Sequence, residues 1–127
     1  MKVLIADDHR LIIEGVKIKL AELDPGVEAV VAMNLDELDR AVAEHADELD
    51  LVLVDITMPG TNGHQHVARL RAQAPALPVI VLSGSEDVEL MRSLIDLGVL
   101  GFIPKAYSPD VMLSAIRLVL AGGIYIP

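Results

Sequence analysis

Three carboxylates stand at the ends of two short apolar runs of the sequence. Asp7 and Asp8 follow the run 3–6, and Asp55 follows the run 51–54. If both runs are parallel strands of one sheet, their carboxyl ends share the edge at which open α/β sheets build their sites. Each like-charged pair about 4 Å apart costs on the order of 4 kcal/mol at an effective dielectric constant near 20. Such a cluster requires a cation, and its oxygen atoms suit a hard ion such as Mg²⁺.

Two more polar side chains end predicted strands along the same edge. Ser83 follows the apolar run 79–82, and Lys105 comes two residues after the run 100–103. Each residue alone has an ordinary explanation, such as a helix cap for Asp8 or a solvated amine for Lys105. Three acids, a hydroxyl and an amine at four strand ends together indicate a functional site.

The elements that must position these residues alternate regularly along the chain. The predicted strands are 3–6, 27–32, 51–54, 79–82 and 100–103. The predicted helices are 11–23, about 35–46, 63–73, one capped by Ser85 and ended by Gly98, and one capped by Ser108 that stops at Gly122. This alternation predicts an α/β domain with a parallel sheet covered by helices on both faces. The continuous apolar strands favour the same architecture.

Composition narrows the classes of function. The chain has 127 residues, enough for one domain, with a net charge of −9, 53% hydrophobic residues and no Cys. The negative charge argues against direct binding of nucleic acid. Apolar runs of about six residues are too short to cross a membrane, which takes roughly 18. Without Cys there are no disulfides or thiolate metal sites, and a reducing cytoplasm is the simplest location.

Four short motifs follow one another in a fixed order. They are Ile-Ala-Asp-Asp-His at 5–9, Val-Asp-Ile-Thr-Met-Pro-Gly at 54–60, Leu-Ser-Gly-Ser at 82–85 and Gly-Phe-Ile-Pro-Lys at 101–105. With these motifs the whole chain resembles the receiver domain of two-component response regulators. Asp-Asp-His at 7–9 and the ending at 121–127 are most similar to regulators whose receiver precedes a LuxR/NarL-type helix-turn-helix domain. The resemblance implies a flavodoxin-like (βα)5 fold, a doubly wound three-layer sandwich with strand order 2-1-3-4-5.

The resemblance also implies a role for each acid. Asp55 is expected to accept a phosphoryl group from a sensor histidine kinase and to form an acyl phosphate. Asp8 and Asp55 would bind Mg²⁺, with Mn²⁺ as an alternative, and Asp7 would hold the ion through water. The backbone carbonyl of Thr57 would supply another oxygen. The protein would then be a signalling switch that catalyses only its own phosphorylation and dephosphorylation.

Three further residues complete the expected site. By resemblance, Lys105 would contact a phosphoryl oxygen as a compact point charge. Ser83 would move to hydrogen-bond the phosphoryl group, and Phe102 would rotate inward into the space that this movement opens. Simple core filling is the alternative interpretation of Phe102, which is the only Phe of the chain.

One position departs from the family pattern, and two others lie where the family tunes its chemistry. Pro104 precedes Lys105, whereas many receivers place Pro after the lysine, so the backbone near Lys105 is expected to differ. Thr57 and Ser85 lie where the family tunes dephosphorylation, and both are small and neutral. They offer no base for hydrolysis, which predicts a phosphoryl lifetime of minutes or longer.

The histidines do not predict a metal site of their own. His64 and His66 are two residues apart, so they point in different directions on a helix and cannot easily share an ion. His9 lies beside the acids, where sensing their charge is one interpretation and an ordinary residue of the first helical turn is the preferred one.

Partners are predicted from apolar helix faces and from the tail. The last helix is apolar on most of its faces, and the first offers Leu11 and Ile18 beyond its core stripe. Dimerisation through these two helices is one hypothesis, and tight packing within one chain is the other. The tail resemblance assigns 1–127 to the receiver and places the output domain outside this chain.

Three other functions remain open. A flavodoxin-like cofactor binder needs a Gly/Ser/Thr-rich phosphate loop after the first strand, where this chain has Asp7 and Asp8. A phosphatase or mutase with an aspartyl nucleophile usually has a second Asp two residues later, where this chain has Thr57. A stand-alone receiver that signals only through protein contacts is the third alternative.

Overall fold

Five strands and five helices alternate along the computed structural model, which describes residues 1–127. The strands are β1 (Lys2–Ala6), β2 (Glu28–Ala32), β3 (Leu51–Asp55), β4 (Val79–Ser83) and β5 (Gly101–Pro104). The helices are α1 (Arg10–Leu23), α2 (Leu35–His45), α3 (Gln65–Gln73), α4 (Val88–Asp96) and α5 (Pro109–Leu120). All strand pairs are parallel and the order is β2-β1-β3-β4-β5, which confirms the predicted fold.

The sheet separates two apolar layers. One contains buried side chains of α1 and α5, such as Val16 and Ile116, and the other contains those of α2, α3 and α4, such as Leu38, Leu70 and Leu94. All residues of β3 and β4 are buried, because helices cover both faces of the central strands. This packing leaves the carboxyl edge of the sheet as the place where polar side chains gather. No helix of the structure has both the length and the apolar character needed to cross a bilayer.

The helix ends differ in detail from the sequence prediction. The prediction that Ser85 caps α4 was wrong: Asp87 is the N-cap, and its carboxylate accepts the Glu89 N–H at 3.0 Å. The Ser85 hydroxyl instead accepts the Asp87 N–H at 3.1 Å within the preceding loop. An anionic cap also interacts favourably with the helix dipole, so Asp87 is the better cap of the two.

Glycine conformations explain the remaining boundaries. Helix α3 begins at Gln65 rather than at residue 63, because Gly63 has φ +59, which is outside the right-handed helical region. Gly98, with φ +92, follows α4 as predicted. The predicted cap Ser108 is confirmed, since its hydroxyl accepts the Val111 N–H at 3.3 Å with Pro109 in the first turn of α5.

The last residues of the chain extend the sheet beyond β5. Tyr125 forms an isolated parallel bridge with Gly101. The Phe102 N–H donates to the Tyr125 carbonyl at 3.0 Å, and the Tyr125 N–H donates to the Leu100 carbonyl at 2.9 Å. The tail therefore covers part of the otherwise open edge of β5.

Candidate functional site

The carboxylates of β1 and β3 meet because the two strands are adjacent and parallel. Ala6 pairs with Val54, so the next residues, Asp7 and Asp55, lie side by side at the carboxyl edge of the sheet. Both side chains are buried. Single ligand atoms from Asp7, Asp8, His9 and Asp55 all lie within 4.8 Å of one another. The structure thus brings together the three acids that the sequence analysis singled out.

Lys105 provides the positive charge at this cluster. Its position follows from the end of β5, where the Lys105 N–H donates to the Ser83 carbonyl at 2.7 Å. The Nζ atom lies 2.8 Å from Asp55 Oδ2 and 3.1 Å from Asp7 Oδ2. One ammonium group therefore bridges the two buried carboxylates and offsets part of their repulsion.

The Asp55 carboxylate is held at both of its oxygens. Oδ2 accepts from Lys105 Nζ, and Oδ1 accepts the Thr57 N–H at 3.0 Å. Burial raises the pKa of the Asp55 carboxyl above its usual range, and the negative charge of Asp7 acts in the same direction. The hydrogen bonds from Lys105 and Thr57 oppose the increase. The ionised carboxylate is thus destabilised on balance but remains oriented, as a nucleophile requires.

The donor set fits a hard divalent cation. Asp8 Oδ1 is buried and has no hydrogen-bond partner, and Asp7 Oδ2 has an ionic contact with Lys105 but no hydrogen bond. Buried carboxylate oxygens that lack hydrogen bonds are costly unless positive charge compensates them, and Lys105 is a single charge shared among several acids. Carboxylate oxygens with room for water suit Mg²⁺. Asp8, Asp55, Thr57 and Lys105 line an open cleft of about 510 Å³, which leaves space for an ion and a phosphoryl group.

Ser83 and Phe102 lie near the cluster without joining it. Ser83 is fully buried, and its Oγ accepts the Ser85 N–H at 3.0 Å, so the hydroxyl is engaged within its own loop. Phe102 is also fully buried and belongs to the apolar layer of α2, α3 and α4. The aromatic ring therefore already lies inside the domain in this conformation.

Two histidines contact the site: the sequence analysis placed His9 beside the acids, whereas the contact of His66 was missed. His9 is the N-cap residue of α1, and its Nδ1 lies 2.8 Å from Asp7 Oδ1 and 2.8 Å from Lys105 Nζ. His66 is buried in α3, and its Nε2 lies 2.9 Å from the backbone carbonyl oxygen of Asp55. His66 stands four residues before Leu70 on the buried face of α3, a spacing that could have indicated its burial.

Comparison with known proteins agrees with this geometry. The model of the response regulator receiver domain family matches residues 3–117. The glycerol metabolism activator of Pseudomonas putida is 36% identical over 126 residues, which cover 99% of this chain and 57% of that protein. The nitrate/nitrite response regulator protein NarP of Escherichia coli is 36% identical over 116 residues, covering 91% of this chain and 53% of NarP.

A solved structure extends the likeness to three dimensions. The LuxR family DNA-binding response regulator from Silicibacter pomeroyi has a TM-score of 0.84 and 33% identity, covering 100% of this chain and 97% of that chain. Our chain spans little more than half the length of the curated relatives that it matches first. The family is one of signalling proteins rather than of classical enzymes. The chain belongs to the response regulator receiver domain family, and its relatives are regulators of the LuxR/NarL type.

Proposed function

We propose that the chain is a phosphorylation-activated receiver domain that accepts a phosphoryl group on Asp55 from the phosphohistidine of a sensor kinase. The observation that carries the proposal is the buried Asp55 carboxylate, held by Thr57 and Lys105 beside Asp7 and Asp8. An Asp55 oxygen attacks phosphorus while the P–N bond to the kinase histidine breaks. The imidazole leaves with the electron pair and takes up a proton, and the product is an aspartyl phosphate.

Receiver domains bind Mg²⁺ at an acidic pocket. Asp8, Asp55 and the backbone carbonyl of Thr57 would hold the ion here, with Asp7 acting through water and Mn²⁺ as an alternative. The bound ion supplies positive charge that lets an anionic phosphodonor approach the acids. Lys105 contacts a phosphoryl oxygen and stabilises the charge of the transferring group. These residues supply positioning and electrostatic stabilisation, which make up most of the catalysis of phosphoryl transfer.

The switch would act through Ser83 and Phe102. For the Ser83 hydroxyl to reach a phosphoryl group on Asp55, it must leave the Ser85 N–H that it now accepts. Phe102 already lies inward while the Ser83 hydroxyl is still engaged within its own loop, an arrangement that core filling explains directly and that the switch would require only after Ser83 has moved. Thr57 and Ser85 offer no base for hydrolysis, so we propose that the phosphoryl group persists for minutes or longer.

The proposed partners follow from the family and from one apolar surface. Residues 1–127 act as the receiver of a longer regulator, because the curated relatives extend well beyond the matched region. The output is a DNA-binding helix-turn-helix domain, whereas this acidic receiver does not bind nucleic acid itself. The receiver also dimerises through the α1–α5 patch, defined as the exposed residues Leu11, Ile18, Val111 and Leu118.

Intact mass spectrometry after incubation with acetyl phosphate tests the proposal. The wild-type protein should gain one phosphoryl group with Mg²⁺ and none with a chelator, and Asp55→Asn should gain none with either. An adduct of equal yield on Asp55→Asn would contradict the assignment. The absence of any adduct on the wild-type protein would contradict the phosphoacceptor function as a whole.

A further inference from the structure

His66 connects helix α3 to the main chain of Asp55. The side chain is 3% exposed, and its Nε2 atom lies 2.9 Å from the carbonyl oxygen of Asp55, which is the last residue of β3. The phosphoacceptor proposed above is thus held through its backbone by a side chain eleven residues later. His66 contacts the peptide of Asp55 rather than its carboxylate, so the contact gives His66 no direct part in binding a metal or a phosphoryl group.

The hydrogen on this contact can be assigned from chemistry. A carbonyl oxygen only accepts, so Nε2 must be the donor. The ring is neutral, because a second ring hydrogen on Nδ1 would be a buried donor without an acceptor. A neutral ring with hydrogen on Nε2 leaves Nδ1 as an acceptor, and Nδ1 is buried without a partner. An apolar side chain would fill this place without that unsatisfied acceptor, so the hydrogen bond to Asp55 is what distinguishes histidine here.

The hydrogen bond fixes the peptide on which the site is built. Asp55 Oδ1 accepts the Thr57 N–H and Oδ2 accepts from Lys105, so the carbonyl contact with His66 is a third point of attachment. The peptide after the Asp55 carbonyl leads through Ile56 to Thr57. Rotation of that peptide would shift the carboxylate and the Thr57 backbone together.

We infer that His66 is a positioning residue for phosphoryl transfer: by donating from Nε2 to the Asp55 carbonyl, it holds the nucleophile and the Thr57 backbone in the reactive arrangement. This inference rests on the proposed phosphorylation of Asp55. Because transfer depends on geometry, small displacements of the nucleophile are costly in rate. The hydrogen bond of His66 affects the rate constant of phosphoryl transfer, so its effect remains when Mg²⁺ and phosphodonor are saturating.

Rates of phosphorylation by acetyl phosphate, measured at saturating Mg²⁺ and donor, test the inference. His66→Leu removes the donor and should lower the rate constant about tenfold. His66→Gln places an amide donor near the position of Nε2 and should recover most of the rate. Val67→Ala is the matched control, because it removes buried atoms from the next residue of α3 and should destabilise the domain without changing the rate constant.

A readout independent of the reaction uses ¹⁵N spectra of the His66 ring in the metal-free protein. We expect a neutral ring with hydrogen on Nε2, and a shift of the Asp55 carbonyl ¹³C resonance in His66→Leu but not in Val67→Ala. Hydrogen on Nδ1 alone would overturn the inference.

The kinetic outcomes separate the inference from the proposed function. Equal rate constants for wild type and His66→Leu would overturn the positioning role while leaving Asp55 as phosphoacceptor. A wild-type protein that takes no phosphoryl group would overturn both. If His66→Leu does not fold, His66→Asn takes its place, because its shorter amide cannot reach the carbonyl. The His66→Asn variant should then react about tenfold more slowly than His66→Gln. Equal rate constants for these two variants would overturn the positioning role of His66.

Discussion

The Asp55 carboxylate lies between charges of opposite sign in a buried position. Asp7 repels it, Lys105 and the Thr57 N–H attract it, and burial disfavours its ionised form most of all. This balance separates the proposed phosphoacceptor role of Asp55 from stability, because the ionised form that would attack phosphorus is the form that burial disfavours. The free energy of unfolding of the metal-free protein, and its dependence on pH, should both reflect this imbalance.

Replacement of Asp55 by Asn should stabilise the metal-free domain at neutral pH. The folded-state pKa of Asp55 is raised above the unfolded value near 3.8, so the native state binds more protons than the unfolded state. The associated stability is complete below pH 3.8 and is lost as pH rises through the raised pKa. The Asp55→Asn variant has no ionisable group at this position and avoids that loss. We expect its free energy of unfolding near pH 7 to exceed that of the wild type by on the order of 1 kcal/mol.

Urea unfolding across the pH range measures this difference. The advantage of Asp55→Asn should be small in acid and should grow as pH rises above the ordinary Asp range. A variant that is less stable than wild type at pH 7, or an advantage that shrinks with rising pH, would contradict the stated balance of charges.

Mg²⁺ should stabilise the wild-type protein by binding the acids in the folded state only. At a hundredfold excess over Kd the expected gain in free energy of unfolding is about 2.7 kcal/mol. Asp8→Ala should lose most of this gain. Asp47→Ala is the control, because it removes an exposed negative charge before β3, at the opposite end of the strands. Equal stabilisation of both variants would point to general screening of the acidic surface.

At the scale of elements, β1, β3 and β4 were predictable because each is a continuous apolar run ended by a polar residue. The run of β2 contains Glu28 and that of β5 is followed by Pro104, so those two strands had a weaker signal. The order of the helices followed from turn and cap residues in the same way. Of the helix starts that were missed, that of α3 depends on the conformation of Gly63, and that of α4 on contacts between neighbouring polar residues. Ser85 and Asp87 both have the chemistry of a cap, and only the conformation of the loop determines which of them faces the helix.

The two caps can be compared experimentally. Asp87→Ala should lower the free energy of unfolding by about 1 kcal/mol, because α4 loses the acceptor of its Glu89 N–H. Ser85→Ala should cost less than about 0.5 kcal/mol, and Asp87→Asn, which keeps an acceptor, should lie close to wild type. Urea unfolding measures the loss in free energy of unfolding for each variant. A larger loss for Ser85→Ala than for Asp87→Ala would support Ser85 as the cap of α4.

The site was predictable in its acids and lysine but not in its histidine contacts. Parallel strands bring their ends to one edge whatever the side chains are, so the convergence of Asp7, Asp55 and Lys105 follows from topology. The contact of His66 with a carbonyl depends on side-chain direction and helix placement, which no spacing in the sequence specifies. The pairing of Tyr125 with β5 was missed because a single bridge has no periodic signal.

At the scale of the whole molecule, the distribution of apolar surface is uneven. In the α1–α5 patch, Leu11 is 86% exposed and Ile18 is 62% exposed, and a salt bridge of 2.8 Å between Lys19 and Asp110 joins the two helices. Exposed apolar side chains on adjacent helices favour association with a second copy of the chain. The alternative, a monomer that tolerates these residues, predicts no dependence of mass on concentration.

Light scattering with size-exclusion chromatography distinguishes the two states. We expect the mass to rise with concentration, and Ile18→Asp to shift the protein to monomer by burying a charge in the interface. Val88→Asp is the matched control, since Val88 is 60% exposed but lies on α4. A constant monomer mass, both unmodified and phosphorylated, would exclude dimerisation through this patch.

The charge of −9 gives the whole molecule a field that repels anionic phosphodonors. Signalling by this receiver would therefore depend on phosphorylation of Asp55 and on a cation that lets the phosphodonor approach. The most direct measurement is borohydride trapping after treatment with acetyl phosphate, followed by peptide mass spectrometry. We predict that Asp55 is reduced to homoserine when Mg²⁺ is present and remains Asp when a chelator replaces it. Reduction of Asp7 or Asp8 instead, or of no residue, would contradict the central claim.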